Sequence, residues 1–384
     1  MMYSKVNELM HNLIKKSTPD RPKWNIEVAL GHISPGWNYV DGCMIKAVLD
    51  IYEATNDKFY IDFAHNFIDY YVSAYGSILG YKLEDYNSDH INEGKVLFTL
   101  LRHFDDNKYK KALDMLYRQL MGMPRTKSGN FWHKLIYPEQ VWLDGLYMTM
   151  PFYAEYEILF NEGKNINDIL TQFKNVYDNM KDKKTGLLYH GIDEAHECFW
   201  ADPMTGLSKN FWSRSIGWFI MALLDTAEKL DDAHSADRET LISYLKHTVD
   251  ALLHVFDKET GMLWQVTNMA DKPGNYLETS SSCALAYVLM KGARLGYLPD
   301  NYFDYGKKIF DSVTNKKLID TDDGVALIDI CLVAGLGVYP GRGDYKKRDG
   351  TYEYYISEPR VNNDAKGVAP FLMAYAELLR KEIA

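Results

Sequence analysis

No stretch of about 18 residues in this chain runs without charged or strongly polar side chains, so no membrane-spanning helix can be read from it. With 12 prolines and 26 glycines in 384 residues, a low-complexity linker is excluded. The four cysteines, Cys43, Cys198, Cys283 and Cys331, have no paired spacing. They read as small core residues rather than a disulfide or zinc framework. Basic residues are also short: 43 Lys and Arg against 53 Asp and Glu give a net charge of −10, which argues against nucleic acid and anionic membranes as partners. An anionic small substrate then needs a locally basic site. The segment from Met1 to Lys16 lacks the continuous apolar block and small-residue cleavage site of a secretory signal, so a cytoplasmic address is expected.

What is present is a soluble globular composition, 47% hydrophobic and 25% charged, able to bury a large core. The surplus is aromatic: 29 Tyr, 16 Phe and 8 Trp, 14% of the chain. Such residues fill helical cores, but Tyr and Trp beside Asp, His and Arg also suit stacking on sugar rings. Apolar residues recur at helical spacing, as in Ile216, Phe219, Ile220, Leu223 and Leu224, and no strands alternate with these helices.

A weak repeat marks six helix starts, each after a small or polar cluster: Tyr39 to Gly42, Asp89 to Gly94, Trp142 to Gly145, Arg214 to Gly217, Ser280 to Ser282 and Asp364 to Gly367. A second echo joins Asp182-Lys-Lys-Thr-Gly-Leu-Leu188 to Asp257-Lys-Glu-Thr-Gly-Met-Leu263, a turn signal after an amphipathic helix. Six helical hairpins bury their apolar faces best as two concentric rings, an all-α (α/α)6 barrel with short β-hairpin loops, and one domain over residues 1–384 accounts for the length. Parallel inner helices would gather their N-terminal ends, which favour anions, at one mouth.

The densest polar and aromatic constellation runs through Phe131, Trp132, His133, Tyr137 and the block from Trp142 to Met148. Pro151 cannot donate to the Tyr147 carbonyl, so a helix there should kink or begin nearby, placing Asp144 at a mouth. A carboxyl beside the Trp142 ring is disfavoured as an anion and suits a general acid. Asp89 is the second carboxylate; locally it reads as the N-cap of a helix beginning around Ile91. Close to Asp144, it would raise the proton affinity of one of the pair. Arg214, between Trp212 and Trp218, fits a carboxylate partner. His133 and His190 each follow an aromatic residue outside any metal-ligand spacing. The Asp-Asp pairs lack an Asp-Asp-x-x-Asp pattern, and there is no phosphate-binding glycine loop and no nucleophile elbow. No cofactor and no metal is expected.

At Gly129 to His133, Gln140 to Met148, Trp212 to Trp218, Leu277 to Ser282 and Asn363 to Gly367, the sequence resembles the unsaturated rhamnogalacturonyl hydrolases of glycoside hydrolase family 105. The resemblance implies an (α/α)6 barrel. It also implies hydration of the C4=C5 double bond that lyases leave in a terminal uronic acid, with release of the linked sugar. Asp144 matches the catalytic acid/base and Asp89 the second acidic residue, which binds substrate and tunes the Asp144 proton. Tyr39, His133, Trp142, Met148, His190, Arg214 and Trp218 match positions in or near the substrate pocket, with Arg214 on the uronate carboxylate. The implied partner is an unsaturated uronyl oligosaccharide, Δ4,5-galacturonyl-rhamnose first. Unsaturated glucuronyl hydrolases, a sugar epimerase or a non-catalytic sugar-binding toroid are the alternatives. Gly341 to Ser357, rich in Tyr, Lys and Asp, is expected to form a mouth loop that varies between members.

Overall fold

The computed structural model, which describes residues 3–337 and 348–383, begins a long helix at each of the six polar clusters. In chain order the helices are α1 Ser4–Lys16, α2 Ile26–Ala29, α3 Tyr39–Thr55, α4 Lys58–Asp69, α5 Ser88–Phe104, α6 Asn107–Gly122, α7 Leu143–Phe160, α8 Ile166–Met180, α9 Ser213–Lys229, α10 Ser235–Val255, α11 Thr279–Arg294, α12 Tyr302–Lys317, α13 Tyr352–Ser357 and α14 Ala365–Ile383. Helices α3, α5, α7, α9, α11 and α14 pack side by side, and α14 closes the ring against α3. Each of α4, α6, α8, α10 and α12 lies outside the inner helix that precedes it. Helix α1 completes the outer layer: Tyr3 meets Phe310 and Tyr375, and the Tyr375 hydroxyl donates to Asn7. The architecture is an (α/α)6 barrel.

Side-chain patterning explains which helices go where. In α9 every residue from Ser213 to Ala227 is buried, as a helix covered on all sides requires. Outer helix α8 buries only Ile166, Ile169, Gln172, Phe173, Val176, Tyr177 and Met180, one stripe at helical spacing. The inner helices also approach closely: a Cβ on Gly42 of α3 would lie 2.6 Å from the Glu93 Cα of α5. Inner and outer helices are joined by tight reversals. Asn56 and Asp105 end α3 and α5 in the left-handed conformation, and Asp57 and Asp106 then cap α4 and α6,. The two echoing turns have one geometry: the Asp182 and Asp257 carboxylates accept from the backbone N–H of Thr185 and Thr260, both at 2.8 Å, ahead of Gly186 and Gly261.

Among the described residues four two-stranded antiparallel ribbons stand on the loops: β1 Gln140–Trp142 with β2 Gly191–Asp193, β3 Leu263–Trp264 with β4 Leu277–Glu278, β5 Leu318–Thr321 with β6 Gly324–Leu327, and β7 Ile330–Cys331 with β8 Arg360–Val361. The first positions the site, because Trp142 pairs with Gly191 and the Leu143 N–H donates to the His190 carbonyl at 3.1 Å.

Local expectations at Asp89 and Cys198 need correction, and those at Pro151 and in the mouth loop gain detail. Helix α7 starts at Leu143 and runs on through Pro151; Lys95 Nζ donates to the Tyr147 carbonyl at 3.0 Å, so the bond proline cannot make is replaced. Asp89 is not an N-cap: α5 begins at Ser88, and the Asn87 side chain caps it by accepting from the Asp89 N–H. Three cysteines are buried, but Cys198 is only half-buried, its sulfur accepting from Gln140. Of the expected mouth loop, residues 341–347 lie outside the described residues, whereas Tyr352–Ser357 forms α13. Among the described residues no helix is long and apolar enough to cross a membrane.

Candidate active site

The N-terminal ends of the inner helices converge on a cavity of about 270 Å³. Helix α3 supplies Tyr39, α5 Asp89, α7 Asp144 and Met148, α9 Arg214 and Trp218, and α14 Lys366; His133, Lys134, Tyr137, Trp142, Trp212, Gly335 and Arg348 complete much of the wall. Every site residue named from the sequence lines this cavity except His190, which is fully buried behind Asp144.

Asp144 occupies the first turn of α7, where the helix end favours negative charge,. Its side chain is only 14% exposed. The carboxyl Oδ2 lies 3.5 Å from His190 Nε2, and neither atom has a hydrogen-bond partner. Aromatic rings build the wall beside it. His133 stacks on Trp142 at 4.3 Å, Trp142 packs on Tyr137 at 4.9 Å, and its indole edge meets His190 at 5.6 Å. Gly145 makes room for this stack, since a Cβ there would sit 3.1 Å from His133 Nδ1.

The charges around the cavity are sharply differentiated. Asp89 is paired with Lys134, Nζ to Oδ2 2.5 Å. Burial acts to raise its pKa, but the paired Lys134 outweighs burial and holds the carboxyl below its ordinary value,. Asp89 is therefore held ionised, and proton affinity is not raised at this position. Burial, reinforced by Lys134, pushes the His133 pKa down to about 4, so its imidazole is neutral. Lys366 is buried between Asp364, at 3.1 Å, and Glu27, at 3.3 Å. Burial disfavours its charge, but the two carboxylates raise its pKa regardless.

Arg214 contrasts with these paired groups. It is 2% exposed, one Nη donates to the Cys331 carbonyl, and its guanidinium lies 5.2 Å from the Trp212 ring centre. Its Nε and other Nη have no hydrogen-bond partner, and among the described residues no carboxylate pairs with it. A buried planar cation that lines a cavity and has donors no protein group uses is suited to a carboxylate from outside,. Among the described residues, four cations, Lys134, Arg214, Arg348 and Lys366, line the cavity against three acids, Glu27, Asp89 and Asp144, a locally basic lining in an acidic chain. Trp218, stacked on Tyr147 at 4.7 Å, Met148 and Tyr39 form the apolar side.

Lys134, Tyr137, Trp212, Arg348 and Lys366 were not singled out as site residues from the sequence. Tyr137 stands in the constellation around His133, Lys366 belongs to the Asn363 to Gly367 block, and Trp212 flanks Arg214, so a signal existed for these three. Lys134 and Arg348 are placed by contacts across the fold.

A second cavity, of about 200 Å³, opens at the opposite end of the barrel around Lys95, Asp50, Asp225 and Lys291. Its acids are paired, Asp50 with Lys46 and Arg380, Asp225 with Lys291, and Glu155 with Arg102 and Lys229. Among the described residues its lining has no stack of aromatic platforms and no cation without a carboxylate partner comparable to Arg214, so it does not offer the chemistry of the first.

Known proteins resemble this chain in sequence and fold. The family model for Glycosyl Hydrolase Family 88 matches residues 13–382. A solved glycoside hydrolase from family 105 of C. acetobutylicum ATCC 824 is 43% identical, with a TM-score of 0.86, over 98% of this chain and 99% of that one. Protein Atu3128 of Agrobacterium fabrum is 37% identical over 240 residues, 60% of this chain and 98% of its own length. The unsaturated rhamnogalacturonyl hydrolase YesR of Bacillus subtilis is 25% identical over 317 residues, 81% of this chain and 83% of its own.

Proposed function

Because the chain belongs to the glycosyl hydrolases of families 88 and 105, we propose that its cavity hydrates the C4=C5 double bond of a terminal unsaturated uronic acid, Δ4,5-galacturonyl-rhamnose being the first candidate. The observation that carries this reading is Arg214: a buried guanidinium with unused donors, lining the same cavity as Asp144.

Arg214 binds the C6 carboxylate and sets the alkene over the N-terminal end of α7. Protonated Asp144 delivers its hydrogen to C4, and the positive charge that develops at C5 is shared with the ring oxygen. The resulting Asp144 carboxylate takes a proton from the water that attacks C5, which regenerates the acid. Addition of H and OH leaves a hemiketal at C5. Its ring opens to a ketone, C1 becomes a hemiacetal, and that hemiacetal breaks down to release the linked sugar. One carboxyl serves both proton transfers. Asp89, held ionised by Lys134, binds substrate hydroxyls and adds negative field where the cation develops. Trp142, Trp218 and Tyr39 stack on or flank the ring, with Met148 below and neutral His133 available as a hydrogen-bonding group.

Elimination breaks the C4–O bond to the departing chain and flattens C4 and C5, so unsaturated residues made from galacturonate and glucuronate are the same group. The uronate pocket cannot tell them apart. Selectivity between rhamnogalacturonan products and those of other lyases therefore rests on the linkage and the aglycone, read at the outer wall by Ile33, Asn87, Lys134 and Arg348.

The test is a panel of lyase-generated disaccharides from rhamnogalacturonan, ulvan and glycosaminoglycans. The protein should abolish the ultraviolet absorbance of the conjugated alkene in at least one, fastest for the rhamnogalacturonan product, and D144N should be nearly silent. Alkene left intact across the panel, or full activity in D144N, would reject the reading.

A further inference from the structure

His190 has two nitrogens with different neighbours. Its Nδ1 lies 2.8 Å from the Tyr355 hydroxyl, and its Nε2 faces Asp144 Oδ2 at 3.5 Å. The ring is fully buried, with Trp142 at 5.6 Å and Trp212 at 4.8 Å.

Tyr355 sits equally deep, on α13, 165 residues further along the chain. Its ring stacks on Trp212 at 6.1 Å, and its carbonyl accepts from Gln265 at 3.0 Å while Gln265 accepts from the Trp212 indole at 3.2 Å. The phenol cannot rotate away. Burial raises the Tyr355 pKa well above its ordinary value, so the hydroxyl keeps its hydrogen. Among the described residues, His190 Nδ1 is the one hydrogen-bond partner of that hydroxyl.

A neutral imidazole has one donor and one acceptor nitrogen, and a bond to one settles the role of the other. We infer that Tyr355 is a positioning residue: by donating to His190 Nδ1, its hydroxyl fixes the ring hydrogen on Nε2, where it faces the Asp144 carboxyl. This rests on the reading of Asp144 as the acid/base. The Nε2–H then stabilises Asp144 in the interval between giving its proton to C4 and recovering one from water. Donor and acceptor stand slightly too far apart for a hydrogen bond, as is common for catalytic contacts before substrate binds. Without the Tyr355 hydroxyl the ring is free to carry its hydrogen on Nδ1. That would present a lone pair to Asp144, which opposes the carboxylate and retains the proton of the acid. Groups that support a reacting residue in this way are worth about 10–100-fold in activity.

The test is nitrogen NMR on the full chain labelled at histidine, with the His190 signals assigned from H190Q, together with kinetics on the turned-over disaccharide. In the wild type His190 should be the Nε2–H tautomer, and Y355F should move population to Nδ1–H. In Y355F kcat should fall about 10–100-fold with KM within about twofold. Y352F, which loses a hydroxyl on the same helix that bonds the Lys272 and Pro273 carbonyls, should match the wild type in both. A wild-type His190 protonated on Nδ1 overturns the inference, whether or not Y355F folds. So does a Y355F protein with unchanged tautomer and kcat. Full activity in D144N would instead strike the acid/base reading while leaving the tautomer result standing, so the two failures are distinguishable.

Discussion

Lys95 Nζ donates to the Tyr147 carbonyl oxygen across 3.0 Å and lies 3.5 Å above the centre of the Tyr147 ring. Pro151, four residues beyond Tyr147, has no N–H to offer that carbonyl. The lysine of one inner helix thus repairs the hydrogen-bond ladder of the next, and α7 passes through its proline to hold Asp144 at the mouth.

K95M should leave the buried Tyr147 carbonyl unpaired and cost about 1–3 kcal/mol. In a P151A background, where residue 151 can donate, the same change should cost at least about 1 kcal/mol less. Urea unfolding of the four proteins of this cycle checks the coupling; equal costs in the two backgrounds would contradict it. A pH signature accompanies it. Burial pushes the Lys95 pKa down to about 7, against about 10.4 in the unfolded chain. Between these values the unfolded state binds more protons, so this group makes stability rise with pH, by at most about 1.4 kcal/mol per unit. The difference in stability between wild type and K95M should show that rise over the window.

His133 gives the opposite edge of the pH range. Its folded pKa of about 4, depressed by burial and then Lys134, lies below the unfolded value of about 6.5. As pH falls through that interval the unfolded chain takes up a proton that the folded site refuses. Wild type should lose stability on acidification relative to H133N, again by at most about 1.4 kcal/mol per unit. Parallel stability profiles of the two proteins between pH 7 and 4 would contradict a neutral, buried imidazole.

Lys134 holds Asp89 ionised against its burial. In K134M burial dominates, the Asp89 pKa rises, and the acidic limb of kcat/KM should move to higher pH by about one unit or more. K134R should keep the limb near its wild-type position. An unshifted limb in K134M would separate Asp89 from the ionisation that limits activity.

Arg214 is assigned the uronate carboxylate through its unused donors. R214K keeps the charge but loses the planar fork, and kcat/KM should fall about 100-fold, the equivalent of about 2.7 kcal/mol. Methyl esterification of the uronate should impair the wild type by a similar factor and R214K much less. If acid and ester differ equally in both proteins, the carboxylate is bound elsewhere.

Much of the ring was legible because its inner helices announce themselves locally. Each starts after a polar or small cluster, and the Asp-x-x-Thr-Gly turns repeat with the same side-chain bond. Asp144, Arg214 and Trp218 could be placed at a mouth for that reason. Pairings across the fold left no such trace. Asp89 looked like a cap because the cap, Asn87, is two residues earlier and equally suited. Lys134 stands 45 residues from Asp89, Lys95 52 from Tyr147 and Tyr355 165 from His190, and no periodicity relates residues that far apart. The ionisation of Asp89 and the repair of α7 emerge only once the ring has closed.

The central claim is that water adds across an alkene with Asp144 moving the proton. Proton NMR of the disaccharide reacting in deuterated water tests it most directly. The account predicts that the vinyl H4 signal disappears in step with release of the linked sugar, with deuterium delivered to one face of C4. Release of that sugar while the vinyl signal stays intact would mean direct cleavage at the glycosidic bond, and would contradict it.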